Sequence, residues 1–317
     1  MTQQLTGMHH VSALSARIAN THDFHSRVLG LMPVIRTVNQ DDPGMYHLFY
    51  GDGVGSPGSD LTFFDMPMAT REQRGNNSIT LTPLRLHGAD TFRYWLERFD
   101  ELEVVHQGLT ERDGRQVLNF EDPQGTLLSL VEDDGIGESF PWDGSPVPAQ
   151  HQVRGLGYNI ITVPDLGPTD RFLTEALGLV ADHAYADVSD NGHQTHVYRA
   201  AGTGVQSEVH VSVRPDLRRA RYGSGGVHHL ALRVPVDSDI GDWAVHLDEQ
   251  GFRNSGVVDR HYFASVYVRE PNHVLFELAT DGPGFAVDGP IDFERLTLPP
   301  KLEPHRAAIE TLLVPLT

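Results

Sequence analysis

The sequence repeats itself, and this repeat constrains the fold more than any other feature of the chain. Residues 21–36 (THDFHSRVLGLMPVIR) resemble residues 169–184 (TDRFLTEALGLVADHA). Each segment predicts a short helix leading into a strand, because the glycine of Leu-Gly-Leu suits the left-handed position that closes a helix. Residues 117–133 likewise resemble residues 266–281, and each predicts a strand, a proline-containing turn and a second strand. The chain therefore looks like a duplicated half.

Two further segments complete the repeating unit. DTFRYWLERFDEL (90–102) and DIGDWAVHLDEQGF (239–252) have the periodicity of amphipathic helices. With them, the chain divides into four units, each of one strand, one helix and three strands, at 5–67, 75–133, 152–213 and 224–281. Unit one matches unit three and unit two matches unit four. The predicted fold class is α+β, with the four units arranged in two duplicated halves.

Residues 133–151 are rich in Pro, Gly and Asp and predict a linker between the halves. We therefore predict an N-terminal domain at 1–140, which holds units one and two, and a C-terminal domain at 150–285, which holds units three and four. The tail at 286–317 begins as a loop and is predicted to end in a helix from about Glu303.

Composition excludes several classes of function. The net charge of −19 argues against binding nucleic acid, whose phosphates would be repelled. The absence of cysteine rules out disulfides, thiolate zinc sites and iron–sulfur clusters. No apolar run is long enough for a membrane span, and the N-terminus lacks a signal-peptide pattern, so a cytoplasmic location is the default expectation. A homo-oligomer remains compatible with these features.

Two histidine pairs and one carboxylate are the main functional clue. His9-His10 and His228-His229 each lie on a short apolar stretch that predicts a strand, and Glu277 lies on a third such stretch. Two imidazoles and one carboxylate can hold one face of a divalent metal and leave the other face open, an arrangement that suits non-haem Fe(II) and O2 chemistry. We predict a metal site built from these strands.

Strand alternation indicates which histidine of each pair faces the metal. Neighbouring side chains on a strand point to opposite faces, and the more apolar face is expected to pack on the helices. This puts His10, His229 and Glu277 on the cleft side of a curved sheet. His9 and His228 are then expected to face the helix layer, where they can support the site.

The repeat also predicts how many sites the chain has. Aligning the last strands of the units places Ser129 opposite Glu277 and Phe63 at the equivalent position of unit one. Asn159 and the segment Ile79–Thr82 offer no histidine where the other units have one. We therefore expect one metal per chain, with units one and four brought together and units two and three facing each other.

Several long motifs resemble a known family: GMHHVSAL, TVNQDDPGMYHLFYGDGVGSPGSDLTFFDMP, SGGVHHLALRVP, VVDRHYFASVYVREPNHVLFELATDGPGFAVD and LPPKLEPHR. They are similar to ring-cleaving dioxygenases of the vicinal oxygen chelate (glyoxalase) superfamily, in the branch of the hydroquinone 1,2-dioxygenases. The resemblance covers nearly the whole chain. It implies the vicinal oxygen chelate fold, with four βαβββ modules whose curved mixed sheets enclose a metal cleft.

The resemblance also implies a cofactor and residue roles. His10, His229 and Glu277 match the family's Fe(II) ligands, and Mn(II) would accept the same set. Tyr267, Arg260, His9 and His228 match residues around the metal and are the candidate catalytic residues. The implied reaction opens an aromatic diol, namely hydroquinone, a halogenated hydroquinone or catechol, with O2. The alternatives are a glyoxalase-like metal-dependent lyase or isomerase, which usually has a fourth protein ligand, and a binding protein for aromatic ligands without catalysis.

Overall fold

The computed structural model describes residues 4–187 and 192–316. Each unit has the predicted order of one strand, one helix and three strands. Unit one contains β1 (Met8–Ser15), α1 (Ile18–Asp23), β2 (Met32–Val38), β3 (Tyr46–Gly51) and β4 (Asp60–Asp65). Unit two contains β5 (Ser78–Leu86), α2 (Ala89–Glu101), β6 (His106–Arg112), β7 (Arg115–Glu121) and β8 (Leu127–Glu132). The α+β fold class is confirmed.

The second half repeats this order. Unit three contains β9 (Asn159–Val163), α3 (Leu166–Arg171), β10 (Val180–Asp187), β11 (His193–Arg199) and β12 (Glu208–Val213). Unit four contains β13 (Val227–Val234), α4 (Ile240–Glu249), β14 (Asn254–Asp259), β15 (Phe263–Arg269) and β16 (Leu275–Pro283). In the tail, a 3-10 turn at Glu303–His305 leads into α5 (Arg306–Leu312). Within the described ranges, no helix is long and apolar enough to cross a membrane.

The units pair across the two sequence halves. Units one and four form one curved sheet, the outer-unit sheet, in the order β2–β3–β4–β1–β13–β16–β15–β14. Units two and three form the inner-unit sheet, in the order β6–β7–β8–β5–β9–β12–β11–β10, and the two sheets are continuous through the pairing of β5 with β13 at Ile79 and Val227. The prediction that units one and four meet is confirmed by the antiparallel pairing of β1 with β13. Each predicted half, 1–140 and 150–285, thus contributes one unit to each sheet.

Helices cover the apolar faces of both sheets. α2 buries Phe92, Trp95 and Phe99, and their spacing of three and four residues places them on one helical stripe. α4 does the same with the residues Ile240, Trp243 and Leu247. Both stripes join one core with the apolar side chains of the strands. Burial of one large apolar side chain contributes about 1.5–3 kcal/mol, so the helices fix which face of each sheet is left for the clefts.

The repeated Leu-Gly-Leu ends its helix as predicted. α1 and α3 each pass into a π-helical turn, at Phe24–Val28 and Phe172–Ala176. The glycines that follow, Gly30 and Gly178, have φ angles of +67° and +68°. A side chain is strained at such angles and glycine is not. The duplication is therefore preserved in the backbone as well as in the sequence.

Candidate metal centre and its cavity

Three neighbouring strands of the outer-unit sheet carry the predicted ligands. In the antiparallel pair of β1 and β13, His10 lies opposite Ala231 and Ser12 lies opposite His229. In the parallel pair of β13 and β16, Ala231 lies opposite Glu277. Residues opposite each other on paired strands point to the same face of a sheet. This register brings the two histidines and the glutamate together on the cleft side.

The three ligand atoms lie within a few ångströms of one another. Nε2 of His10 is 3.2 Å from Nε2 of His229. Oε2 of Glu277 is 3.2 Å from the first nitrogen and 2.9 Å from the second. All three side chains are buried, yet this oxygen completes no hydrogen bond of normal geometry. Because crowded, buried lone pairs are costly without a cation among them, the donor set fits a divalent metal held on one face.

The protonation states of Glu277 and His229 also suit a cation. Burial alone would raise the pKa of Glu277, but His10 and His229 together hold that pKa well below its usual value. Burial lowers the pKa of His229, and the nearby Glu277 carboxylate only partly opposes this shift. An ionised carboxylate and a neutral imidazole are the forms that bind metals.

The first histidine of each pair is the extra residue of a β-bulge. The register between β1 and β13 shifts by one residue at His9 and again at His228. A bulge re-aims its side chain. His228 consequently lines the cavity beside the ligands, and the ring of His9 lies 5.2 Å from Phe263, which lines the same cavity. The prediction that His228 faces the helix layer is wrong, and so is the unbroken two-residue alternation on which the placement of His9 rests.

These bulged histidines fix the tautomers of the ligands. Nε2 of His9 lies 3.0 Å from the carbonyl oxygen of Thr280, which can only accept a hydrogen bond. Nδ1 of His9, 2.9 Å from Nδ1 of His10, therefore accepts, and the Nε2 lone pair of His10 stays available to a metal. Nδ1 of His228 likewise lies 2.8 Å from Nδ1 of His229, and binding of a metal by Nε2 of His229 would make that Nδ1 the donor. Burial lowers the pKa of His9 and of His228 to about 3, so both remain neutral near pH 7.

Tyr267 and Arg260 form a pair on the other side of the ligands. Tyr267 lies directly opposite Glu277 on the paired strand β15 and lines the cavity. Nε of Arg260 donates a hydrogen bond to its hydroxyl at 3.0 Å, and Nη2 of Arg260 contacts Asp41 at 3.0 Å. Burial raises the pKa of Tyr267 despite the opposing charge of Arg260. The phenol therefore keeps its proton and can donate it as a hydrogen bond into the cavity.

The position equivalent to Glu277 in unit one belongs to Thr62. Thr62 pairs with Ser12 of β1 and so faces the cleft, whereas Phe63 points into the hydrophobic core. The prediction that named Phe63 is wrong by one residue. A threonine hydroxyl there leaves this ligand group with two histidines and one carboxylate and no second carboxylate.

His47 also lines the cavity, although no sequence motif singled it out. Its Nε2 lies 2.8 Å from Oγ1 of Thr62, which lies 2.7 Å from Oγ of Ser12. Burial, reinforced by the nearby ligand histidines, holds the pKa of His47 well below its usual value, so the ring is neutral. The alternation in YHLFYG, which puts His47 and Phe49 on one face, was the available signal.

The cavity next to the ligands has a volume of about 440 Å³. Aromatic rings form much of its wall, including Phe49, Phe64 and Phe263. Tyr262 lines it as well, whereas its neighbour His261 points away and contacts Asp288 at 2.6 Å. A mostly apolar chamber of this size, open beside a metal site, accommodates one aromatic ring.

The inner-unit sheet holds a second group of possible ligands, which no pattern in the sequence indicates. One ligand atom each of Asp113, Glu208 and His210 lies within 4.8 Å of the other two. Arg115 binds Glu208 through two contacts of 2.8 and 3.0 Å, and Tyr158 stacks on His210 with ring centroids 3.9 Å apart. An arginine thus already neutralises the carboxylate that a metal would need.

The positions that correspond to the ligands by repeat carry neutral side chains in the inner-unit sheet. Ser129 donates a hydrogen bond to the carbonyl oxygen of Leu130 at 3.2 Å. Asn159 accepts one from the hydroxyl of Thr82 at 3.0 Å. Both are buried. Their amide and hydroxyl groups are occupied by the protein itself.

We expect one divalent metal per chain, bound at the outer-unit sheet. Replacing Ser129 or Asn159 with alanine, or His210 with asparagine, leaves the metal content of the folded protein unchanged, because Arg115 holds Glu208. Elemental analysis after anaerobic Fe(II) loading and desalting measures this ratio. Two tightly bound metals per chain, or a metal lost in the His210→Asn protein, would contradict the expectation.

Known proteins resemble this chain in both sequence and fold. Residues 154–278 match the family described as the Glyoxalase/Bleomycin resistance protein/Dioxygenase superfamily. A Bacillus subtilis (strain 168) protein named "Putative ring-cleaving dioxygenase MhqA" is 44% identical over 99% of this chain and 99% of its own length. The "Chlorohydroquinone/hydroquinone 1,2-dioxygenase" of Sphingobium indicum is 28% identical over 87% of this chain and 86% of that protein.

A solved structure agrees over nearly the entire length. The crystal structure of a "putative dioxygenase from Bacillus subtilis subsp. subtilis str. 168" has a TM-score of 0.91 and 33% sequence identity, covering 99% of this chain and 98% of that one. The match therefore includes all four units of the fold. The chain belongs to the glyoxalase, bleomycin resistance protein and dioxygenase superfamily, and within it to the ring-cleaving dioxygenases.

Proposed function

We propose that this enzyme is an Fe(II)-dependent dioxygenase that opens the ring of an aromatic diol: hydroquinone, a halogenated hydroquinone or catechol. One observation carries the proposal. Two histidine nitrogens and one glutamate oxygen converge beside a cavity of about 440 Å³ walled by aromatic rings. The relative from Sphingobium indicum is named for hydroquinone and chlorohydroquinone, which supports this substrate class.

Iron would supply the chemistry that side chains lack. Bound by His10, His229 and Glu277, Fe(II) would lower the pKa of a phenol in its coordination sphere and allow triplet O2 to react with an electron-rich ring. Both atoms of O2 enter the product of a dioxygenase, so the reaction needs no additional reductant. Mn(II) accepts the same donors and is the second candidate metal.

The residues around the ligands bind and orient the diol. Tyr267 presents its hydroxyl hydrogen to the cavity and is held there by Arg260. The arginine adds a fixed positive charge that favours an ionised phenol and any oxyanion formed during ring opening. His228 has its Nδ1 engaged by His229, so Nε2 is the nitrogen left to donate a hydrogen bond to a substrate oxygen. The aromatic walls exclude water from the ring.

A lyase or isomerase on the same fold is the alternative enzyme class. Such sites usually use a fourth protein ligand, and the equivalent position here is Thr62, whose hydroxyl is already hydrogen-bonded to Ser12 and His47. A pure binding protein would not need an open metal face. The donor set therefore favours chemistry with O2.

Oxygen consumption tests the proposal directly. The protein is stripped of metal, loaded anaerobically with Fe(II), Mn(II) or Zn(II), and mixed with O2 and hydroquinone, chlorohydroquinone, catechol or the methylglyoxal–glutathione adduct. We expect the Fe(II) protein to consume one O2 per ring lost, and the Zn(II) protein to consume none. Isomerisation of the adduct, or no O2 uptake with any diol and either redox metal, would overturn the proposal.

A further inference from the structure

The cavity beside the metal ligands contains one charged side chain that the proposed reaction does not use. Arg269 lines this cavity. It follows Tyr267 by two residues on β15, so both side chains point to the same face, about 7 Å apart along the strand. Burial and His229 lower the pKa of His228, and the charge of Arg269 lowers it further. Arg269 therefore lies close to the residues around the metal.

Arg269 is not neutralised by a carboxylate. Its Nη1 donates a hydrogen bond to the carbonyl oxygen of His273 at 3.0 Å, which holds the side chain beside the turn between β15 and β16. Among the residues that the structure describes, no aspartate or glutamate forms an ion pair with it. A guanidinium has several N–H donors, and a carboxylate accepts two of them in parallel. Arg269 thus has donors left for a carboxylate partner.

The balance of charge in the cavity leaves this arginine without a counter-ion. Asp41 and Arg260 are the other carboxylate and guanidinium that line the described cavity, and they contact each other at 3.0 Å. Glu277 offsets only half of the charge of a divalent metal. An uncharged diol has nothing to offer Arg269, and a diol that ionises does so at the metal. The remaining positive charge favours a ligand with a further negative group.

The opening of the cavity is basic although the protein is acidic. The net charge of the chain is −19. Nevertheless, the segment between β12 and β13 carries Arg218, Arg219 and Arg221, which are exposed and have no ion-pair partner among the described residues. Tyr222, which follows them, lines the cavity and is 44% exposed, so this segment lies at the opening. Its charges attract anions from solution.

We infer that Arg269 binds a carboxylate of the ligand that occupies this cavity. The inference rests on the proposed function, because it assumes that a hydroxyl group of the diol lies at the metal. Two sources can supply the carboxylate. The aromatic substrate can carry it as a substituent, or ring opening can create it. When the bond between a hydroxylated ring carbon and its neighbour breaks, each carbon gains one oxygen atom of O2, and the two become a carboxylic acid and an aldehyde.

Equilibrium binding without turnover tests the inference. Zn(II)-loaded protein is titrated anaerobically in a calorimeter with 2,5-dihydroxyphenylacetate, with the methyl ester of this acid, and with cis,cis-muconate, an open-chain dicarboxylate. The ester keeps the ring and both hydroxyl groups but carries no charge. A charge-assisted contact at a partly exposed site corresponds to roughly a tenfold change in affinity.

The pattern of affinities distinguishes the two sources. If the substrate carries the carboxylate, wild type binds the acid about tenfold more tightly than the ester, and Arg269→Gln binds the two equally. If ring opening creates it, wild type binds acid and ester alike, and Arg269→Gln weakens only muconate. Should Arg269→Gln fail to fold, Arg269→Lys replaces it, because lysine cannot form the two parallel hydrogen bonds and should lose most of the same preference.

Arg253→Gln is the matched control. Arg253 is also exposed and does not line the cavity, so this variant has the same net charge as Arg269→Gln but keeps the contact. It should bind every ligand as wild type does. Anion affinities that are equal in wild type and Arg269→Gln, or that Arg253→Gln weakens as much, overturn the inference. Binding that depends on Arg269, without O2 consumption by the Fe(II) protein, instead contradicts the proposed function alone, because Zn(II) does not react with O2.

Discussion

Replacing Glu277 with glutamine should remove the metal and stop ring cleavage. The carboxylate provides the only negative charge in the ligand group, and its Oε2 lies 2.9 and 3.2 Å from the two histidine nitrogens. Glutamine keeps the shape but loses the charge that attracts a divalent cation into a buried site. Metal catalysis is worth several kcal/mol, and at about 1.4 kcal/mol per factor of ten the rate should fall roughly a thousandfold or more.

Metal content and O2 uptake are measured together, on protein whose fold is verified by circular dichroism. Glu270→Gln is the matched control. Glu270 is a buried carboxylate on the same hairpin, but it accepts a hydrogen bond from Thr169 at 2.7 Å and does not line the cavity. This variant should retain both metal and activity. A Glu277→Gln protein that keeps a full complement of iron and its turnover would contradict the ligand assignment.

The arrangement of the strands could be predicted because the two halves of the sequence contain the same pattern of elements. The two Leu-Gly-Leu segments and the two strand–turn–strand segments mark equivalent places in each half, and the structure keeps their equivalence down to the φ angles of Gly30 and Gly178. The alternation of polar and apolar residues then selects His10, His229 and Glu277 for one face. Regular geometry is enough for all of these steps.

Departures from regular geometry could not be predicted. Simple alternation assigns His9 and His228 to the helix side, but each is the extra residue of a bulge, and a bulge leaves no mark in a single sequence. The choice of Phe63 over Thr62 failed for a related reason, because a shift of one residue in the alignment exchanges the faces of a strand. The pairing of Thr62 with Ser12 of β1 shows that Thr62, and not Phe63, faces the cleft.

The residues of the cavity wall could not be predicted from the repeat. His47 is a lone polar residue in an apolar strand, with no counterpart to draw attention to it. Thr37 and Tyr262 are remote in sequence, and they line one cavity only because β2 lies near the turn before β15. His210 lies on β12, outside the positions equivalent to the two histidine pairs, so the repeat does not point to it.

Replacing Tyr267 with phenylalanine should slow ring cleavage while the metal stays bound. Tyr267 is not a ligand, but it lies opposite Glu277 on the neighbouring strand. Arg260 holds its hydroxyl group toward the cavity. Loss of one preorganised donor to a developing oxyanion, or of one proton donor, costs roughly a hundredfold or more in rate. Steady-state O2 uptake at saturating hydroquinone measures the change in kcat, and elemental analysis measures retained iron.

Arg260→Lys separates orientation from charge. Lysine keeps the positive charge but cannot reproduce the rigid guanidinium that contacts Tyr267 and Asp41 at once. If Arg260 acts by holding Tyr267, the lysine variant loses most of its rate and adding Tyr267→Phe causes little further loss, because residues that act as one unit are not additive. If its charge alone matters, the lysine variant keeps most of its rate. An unchanged kcat in Tyr267→Phe, with iron retained, would mean that Tyr267 only packs against His229. His228 would then be the candidate proton donor.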